Sequence, residues 1–197
     1  AKLSEMALGF SARRKLPRWR GDRFDADGAR FGPQTGREVV LFADTFNANF
    51  EREKIDAAIA KAHELKIRPM AFIVLDGGGQ VISYQREDYS GILRFEIAYG
   101  KAYGALGMNR SSRAIHNMEA RAPDFIASVM TASHGKLISS PGGVLIRNQD
   151  KRIIGAVGST GDAVDADEAC AIAGIHAVGL ISDPPEAVPG PYKPPMN

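Results

Sequence analysis

The chain has 197 residues, of which 44% are hydrophobic, and its formal net charge at neutral pH is only +2. This length suits one globular domain with extensions, and the near-neutral charge gives no reason to expect a nucleic-acid or anionic-membrane partner. The sequence has no run of 18 apolar residues and no secretory signal pattern, and its single cysteine rules out an internal disulfide, so we expect a cytoplasmic protein.

The N-terminal extension, predicted to cover residues 1–48, carries most of the basic character. Residues 1–37 hold nine Lys or Arg against four Asp or Glu, and they show no helical or strand periodicity. We expect an irregular basic arm, followed by a short strand over residues 38–43. The globular domain is predicted over residues 49–182, and a proline-rich extended tail over residues 183–197.

The first half of the domain predicts a helix, a hairpin and a second helix. Apolar residues at helical spacing run from about residue 49 to residue 65. Residues 70–75 and 80–84 predict two strands joined by a turn at residues 76–79. The next helix, over residues 90–106, contains Gly100 and Gly104. Glycines are tolerated in a helix where close packing needs small residues, so we expect this helix to press against a sheet or another subunit there.

The second half predicts two short helices, three strands and a final helix. The helices begin after Ser111 or Ser112 and at Pro123, and a short strand is expected over residues 136–138. Residues 144–146 and 153–157 predict a strand pair, followed by a glycine-rich loop through Gly161 and a helix over residues 165–180 with an Asp165–Glu168 capping box. This apolar helix is expected to be buried on two sides. The order of elements predicts an α+β fold with an antiparallel sheet and flanking helices.

Several motifs in this order carry a resemblance to a known family. FIVLDGGGQVISYQRED, EIAYGKAYGALG, PGGVLI and IIGAVGSTGDAVDADEA, within residues 54–181, resemble the GlcG/HbpS family of heme-binding proteins. The resemblance implies a profilin-like α+β domain that forms homo-oligomers and binds a small molecule, with heme as the possible cofactor. Some family members are associated with glycolate utilisation, and a few are lyases that act on hydroxylamino-aromatic acids.

A second resemblance covers residues 16–52. This segment is similar to part of the large FAD/iron–sulfur oxidoreductases of the glycolate-oxidase type, but the cysteines of those enzymes are absent. It suggests an alternative function as an accessory subunit of such an oxidoreductase.

The four histidines are the first candidates for ligand binding or catalysis. His63 lies at the flank of an apolar helical stripe, where it is either a surface residue, a cofactor ligand or a general acid/base. His134 is a second acid/base candidate or a helix C-terminal residue. His116 is expected in solvent and His176 in the core or an interface. No two histidines have metal-ligand spacing, so we expect no metal other than one carried by a cofactor.

Two cations and a set of glycines complete the predicted cofactor site. Lys101 and Arg86 are expected either to pair with a carboxylate or heme propionate, or to form surface ion pairs with Glu87, Asp88 or Glu96. The glycines either line a pocket floor or allow a strand to bend. The predicted pocket lies between the helix of Lys101 and the loop that follows Gly155. The predicted cofactor-binding residues are His63, Arg86, Lys101, Gly142, Gly143, Gly158, Thr160 and Gly161.

The leading hypothesis is therefore a cytosolic homo-oligomer that binds a small anionic ligand such as heme. The alternative is an enzyme of small-acid or aromatic catabolism that uses His63 or His134. The sequence shows no nucleophile beside a base and no phosphate loop, so it leaves open whether the protein is an enzyme.

Overall fold

A computed structural model describes residues 52–190, which lie in one compact unit. Within these residues are five helices and five strands. In chain order they are α1 (Arg52–Leu65), β1 (Ala71–Asp76), β2 (Val81–Arg86), α2 (Arg94–Met108), α3 (Ser112–Glu119), α4 (Pro123–Ala132), β3 (Gly143–Arg147), β4 (Ile153–Thr160), α5 (Val164–Ala177) and β5 (Ile181–Asp183).

The strands form one antiparallel sheet in the order β2-β1-β4-β3-β5. Strands β1 and β2 form the predicted hairpin, and β4 lies between β1 and β3 at the centre of the sheet. The α+β class with an antiparallel sheet and flanking helices is therefore confirmed. The central position of β4 brings Ile73 of β1 and Gly143 of β3 opposite the same residue, Gly158.

Helices cover both faces of the sheet. Successive side chains of a strand point to opposite faces, so each strand contributes side chains to both layers. Phe72 and Val74 pack with residues of α1 and α5 on one face. Ile73 and Leu75 pack against the small residues of α2 on the other face. The second side of α5 packs against α1 of the same chain, so the expected burial of this helix on two sides is confirmed.

Three details of the predicted order are wrong. Residues 136–138 form no strand, although the Ile138 amide donates to the carbonyl of Gly100. Strand β4 continues through Thr160, so Gly158 lies in the sheet and not in a loop. Helix α5 ends at Ala177, and β5 follows where a helix end and an extended tail were expected. Residues 181–183 join the sheet because the second edge of β3 is open to them.

The predicted capping box is also wrong. Helix α5 has Ala163 at its N-cap with no side-chain hydrogen bond there, because the Asp165 carboxylate contacts Arg113 instead. The N-terminal arm, its strand and nearly all of the oxidoreductase-like segment lie outside the described residues, so these features stay predictions. The two domain boundaries also stay predictions. No helix within residues 52–190 has the length and apolar character needed to cross a membrane.

Candidate functional site

Lys101 lies in the interior and not on the surface. Its Nζ atom donates to Asp167 Oδ2 at 2.7 Å and to the Ser159 carbonyl at 3.0 Å, and both side chains of this ion pair are buried. For Lys101, the alternative of a surface pair with Glu87, Asp88 or Glu96 is therefore wrong. Burial lowers the pKa of Lys101 and raises that of Asp167, while the attraction between the two groups opposes both shifts. The arrangement ties α2 to the start of α5.

Gly143 and Gly158 are opposite each other in the sheet, under helix α2. A Cβ atom on Gly158 would overlap the carbonyl oxygen of Ala98, and one on Gly143 would overlap that of Lys101. These two glycines therefore let the backbone of α2 lie directly on the sheet, which leaves no room for a ligand between them. Gly142 has φ +118° and faces the Lys101–Asp167 pair.

Arg94, which was not among the predicted site residues, connects the start of α2 to the end of β4. Its guanidinium donates to Thr160 Oγ1 at 3.0 Å and to the Gly161 carbonyl at 3.1 Å. Because Thr160 and Arg86 both pair with Ala71, these predicted residues lie at the same end of the sheet. The quoted motif EIAYGKAYGALG begins at Glu96, two residues after Arg94, and no sequence pattern indicated this arginine.

Arg113 forms a second, partly buried network with the first turns of α5. It donates to Glu168 Oε2 at 2.6 Å and to Asp165 Oδ1. The other oxygen of Glu168, Oε1, is buried and has no hydrogen-bond partner within the described part of the chain. Burial raises the pKa of Glu168, and Arg113 opposes the shift. The sequence indicated Glu168 only as a helix-start residue.

His63 lies in the last turn of α1 and contacts Glu87 just beyond the end of β2. The distance from His63 Nε2 to Glu87 Oε1 is 2.6 Å. Glu87 Oε2 accepts a hydrogen bond from the Met70 amide at 2.7 Å. The imidazole remains 68% exposed, whereas the Glu87 side chain is only 20% exposed. An accessible imidazole is thus held by a carboxylate that is fixed at its other oxygen.

Beside Glu87 the connection from β2 to α2 exposes an unusual amount of apolar surface. Tyr89, Ile92 and Leu93 are 100%, 85% and 64% exposed. At the end of β2, Arg86 donates from Nη1 to the Ser90 carbonyl at 3.1 Å, and it is exposed. One end of the sheet therefore combines an exposed imidazole, an exposed guanidinium and an exposed apolar segment.

The remaining histidines lie elsewhere in the fold. His134 is exposed and follows the end of α4 with φ +54°. His176 is exposed rather than buried, and its Nε2 lies 2.8 Å from Ser182 Oγ. His116 is exposed, as expected, and its Nδ1 lies 3.0 Å from the Ser139 carbonyl. No cluster of three or more metal-ligating side chains occurs in the part of the chain that the structure describes.

An open groove of about 510 Å³ lies beside the end of α3, away from the predicted pocket. It is lined by His116, which was expected in solvent, and by Asn117, Glu119, Ala120 and Arg121.

The sequence and the fold both match known proteins. The chain is 28% identical over 116 residues to a 15.0 kDa protein encoded between dhaT and dhaS in Citrobacter freundii, covering 59% of this chain and 80% of that protein. The crystal structure of the PduOC:heme complex has a TM-score of 0.61 at 20% identity, covering 73% of this chain and 99% of that one. The crystal structure of HbpS has a TM-score of 0.57 at 22% identity, covering 77% and 99%.

At these sequence identities, the two structural matches show a shared fold. The family assignment comes from the sequence. Residues 46–176 match the model of the HbpS-like family, which is described as 'haem degrading protein HbpS-like'. The chain therefore belongs to the HbpS-like family.

Proposed function

We propose that this chain binds heme at the end of the sheet where His63, Arg86 and the Tyr89–Leu93 segment lie. The observation that carries the proposal is the exposed imidazole of His63, held by Glu87 at the start of a connection that exposes apolar side chains. Support comes from the HbpS-like family, which is described by haem degradation, and from the fold shared with the protein of the PduOC:heme complex.

The residues at this end of the sheet fit the chemistry of heme. A porphyrin is a large apolar plane, and the exposed side chains of Ile92 and Leu93 offer surface that gains free energy when water is removed from it. Imidazole is a common axial ligand of heme iron, and a guanidinium pairs well with a propionate carboxylate. His63 and Arg86 are the residues that would supply these groups, and a bound heme would supply a redox-active iron.

The site proposed here is smaller than the one predicted from the sequence. Four of the predicted residues have packing contacts in the interior and are not assigned a contact with the ligand: Lys101, Gly142, Gly143 and Gly158. Thr160 and Gly161 lie at the same end of the sheet as Arg86 and are held by Arg94. We assign them to the support of this end.

Titration with hemin tests the proposal. Wild-type protein should produce a shifted Soret band that saturates near one hemin per chain. The His63→Ala variant should bind at least about tenfold more weakly, which corresponds to roughly 1.4 kcal/mol. His134→Ala is the matched control, because His134 is equally a surface histidine but lies at the end of α4. Equal titrations of the wild type and His63→Ala contradict the assignment of His63.

The His63–Glu87 contact also favours a second candidate function, as a general acid/base pair acting on a small carboxylic acid. A histidine oriented by a carboxylate is the arrangement that such catalysis uses, and Arg86 would hold the substrate carboxylate. If the wild type binds no hemin but turns over a small carboxylic acid, and His63→Ala abolishes that turnover, the second function is favoured over the first. The accessory-subunit function and a link to glycolate utilisation rest on the sequence alone, and homo-oligomer formation also stays a prediction.

A further inference from the structure

We propose that Glu87 is a positioning residue that fixes the tautomer of His63 and so makes Nδ1 the nitrogen that binds iron. This inference rests on the heme-binding function proposed above. It adds to that function which atom acts and what selects it.

Both oxygens of the Glu87 carboxylate are held. Oε1 lies 2.6 Å from His63 Nε2, and Oε2 lies 2.7 Å from the amide nitrogen of Met70. The backbone of Glu87 is fixed as well, because its amide donates to the Met70 carbonyl at 2.9 Å. Met70 is completely buried. The position of the carboxylate is therefore set by the sheet, although Glu87 begins an exposed connection.

This geometry determines where the imidazole proton lies. A carboxylate only accepts hydrogen bonds, so the nitrogen that faces it, Nε2, must carry the proton. In a neutral imidazole the other nitrogen then has a free lone pair. His63 Nδ1 contacts no hydrogen-bond partner within residues 52–190, and the ring is largely exposed. Nδ1 is thus the atom available to a metal.

A carboxylate behind a ligating histidine also changes the ligand itself. The hydrogen bond fixes the orientation of the ring and raises the basicity of the ligating nitrogen, and removal of such a partner typically weakens metal affinity by about 10- to 100-fold. Glu87 should therefore influence hemin affinity although it does not contact the iron.

The variant Glu87→Gln tests this inference because its amide can satisfy Met70 in only one orientation. The amide oxygen must accept from the Met70 N–H, which leaves the NH₂ group facing His63 Nε2. An NH₂ donor requires a lone pair on Nε2, so the proton moves to Nδ1 and blocks the atom that binds iron. Asp88→Asn is the matched control, since it removes the same charge from the next residue, which is exposed.

The experiment has a readout without heme and a readout with it. In heme-free protein, ¹⁵N NMR of the histidine rings should show Nε2–H in the wild type and in Asp88→Asn, and Nδ1–H in Glu87→Gln. In hemin titrations, Glu87→Gln should lose affinity by about 10- to 100-fold while Asp88→Asn matches the wild type. The NMR result for the wild type does not depend on whether the variant folds.

Three results would overturn the inference. A wild-type His63 ring with Nδ1–H, or with both nitrogens protonated at the pH of the titration, removes the tautomer argument. Unchanged hemin affinity in Glu87→Gln leaves the proposed function intact and removes the role of Glu87. A wild type with Nε2–H that binds no hemin overturns the proposed function and, with it, the iron-binding role of Nδ1.

Discussion

Lys101 and Asp167 form a buried ion pair in which each side chain is the counter-charge of the other. Their ion pair of 2.7 Å is supplemented by the Ser159 carbonyl on Lys101 and by the Asp162 amide on Asp167. Burying two ions is costly, and the attraction between them repays this cost only while both partners are present. The pair should therefore be far more sensitive to single substitutions than surface pairs are.

We predict that Asp167→Asn lowers the free energy of unfolding by about 3–5 kcal/mol, because it leaves the buried Lys101 ammonium without a counter-charge. Glu64→Gln is the control, since it breaks the exposed pair of Lys61 and Glu64 at the same type of contact. That control should cost less than about 1 kcal/mol. Urea denaturation followed by circular dichroism measures both, and similar costs for the two variants would show that the buried pair has no special role.

Glu168 makes the stability of the domain depend on pH. Burial raises the pKa of its carboxyl, so between the ordinary glutamate pKa and the raised one the folded chain binds more protons than the unfolded chain. The contribution of Glu168 to stability is therefore full below the ordinary pKa and is lost as pH rises through the raised pKa. Asp167 shifts in the same direction.

The variant Glu168→Gln isolates this effect, because glutamine keeps the shape of the side chain and does not titrate. We predict that the free energy of unfolding of the wild type, minus that of Glu168→Gln, falls as pH rises through this window and is constant on either side. Urea denaturation at a series of pH values provides the measurement. A difference that stays flat, or that increases with pH, would refute the raised pKa.

The sequence identified Lys101 but not what it contacts. Asp167 lies 66 residues further along the chain, and only the packing of α2 and α5 around β4 brings the two together. Likewise, the exposure of His63 was considered, but its contact with Glu87 spans 24 residues and depends on where α1 lies beside the start of β1. Local patterns predict which residues are unusual, and long-range pairing decides their partners.

Among the structural elements, α2 and β4 are in direct backbone contact. Gly158 permits it, because any side chain there would meet the carbonyl of Ala98 in the neighbouring helix. The predicted need for small residues in α2 is confirmed, although Gly100 and Gly104 face Ile138 and Leu137 rather than the sheet. The quoted glycine motif is therefore a packing motif at this position.

We predict that Gly158→Ala destabilises the domain by about 1–3 kcal/mol or more, because the backbone of α2 must move away from the sheet. Gly107→Ala is the matched control, since Gly107 lies in α2 and a Cβ atom there would have no neighbouring atom within 4 Å. That change should stabilise the protein by up to about 1 kcal/mol, through the better helix propensity of alanine. Thermal unfolding compares the variants, and a neutral Gly158→Ala would contradict the close helix–sheet contact.

Element types were predictable from sequence where the apolar pattern was periodic, as in α1 and the β1–β2 hairpin. The errors have physical reasons. Residues 136–138 have the composition of a strand, but they pack against the glycines of α2 instead of pairing with the sheet. Residues 181–183 are adjacent to prolines, yet they find the free edge of β3. Whether a short apolar segment becomes a strand thus depends on the sheet that the rest of the chain has built.

At the scale of the whole described domain, the layered arrangement separates the interior ion pairs from the end of the sheet at which we propose heme binding. The networks of Lys101 and Arg113 lie where α5 begins, whereas the exposed imidazole, guanidinium and apolar segment lie around the end of β2. The sequence predicted the class of fold and the family, and its predicted cofactor-binding residues fall in both regions. Burial separates them, because a ligand reaches exposed side chains and not those packed in the interior.

The hemin titration of the wild type beside His63→Ala and His134→Ala tests the central claim most directly. We predict saturable binding near one hemin per chain in the wild type and in His134→Ala, and binding at least about tenfold weaker in His63→Ala. No Soret shift in the wild type at micromolar protein, or the same affinity in all three proteins, would contradict the account.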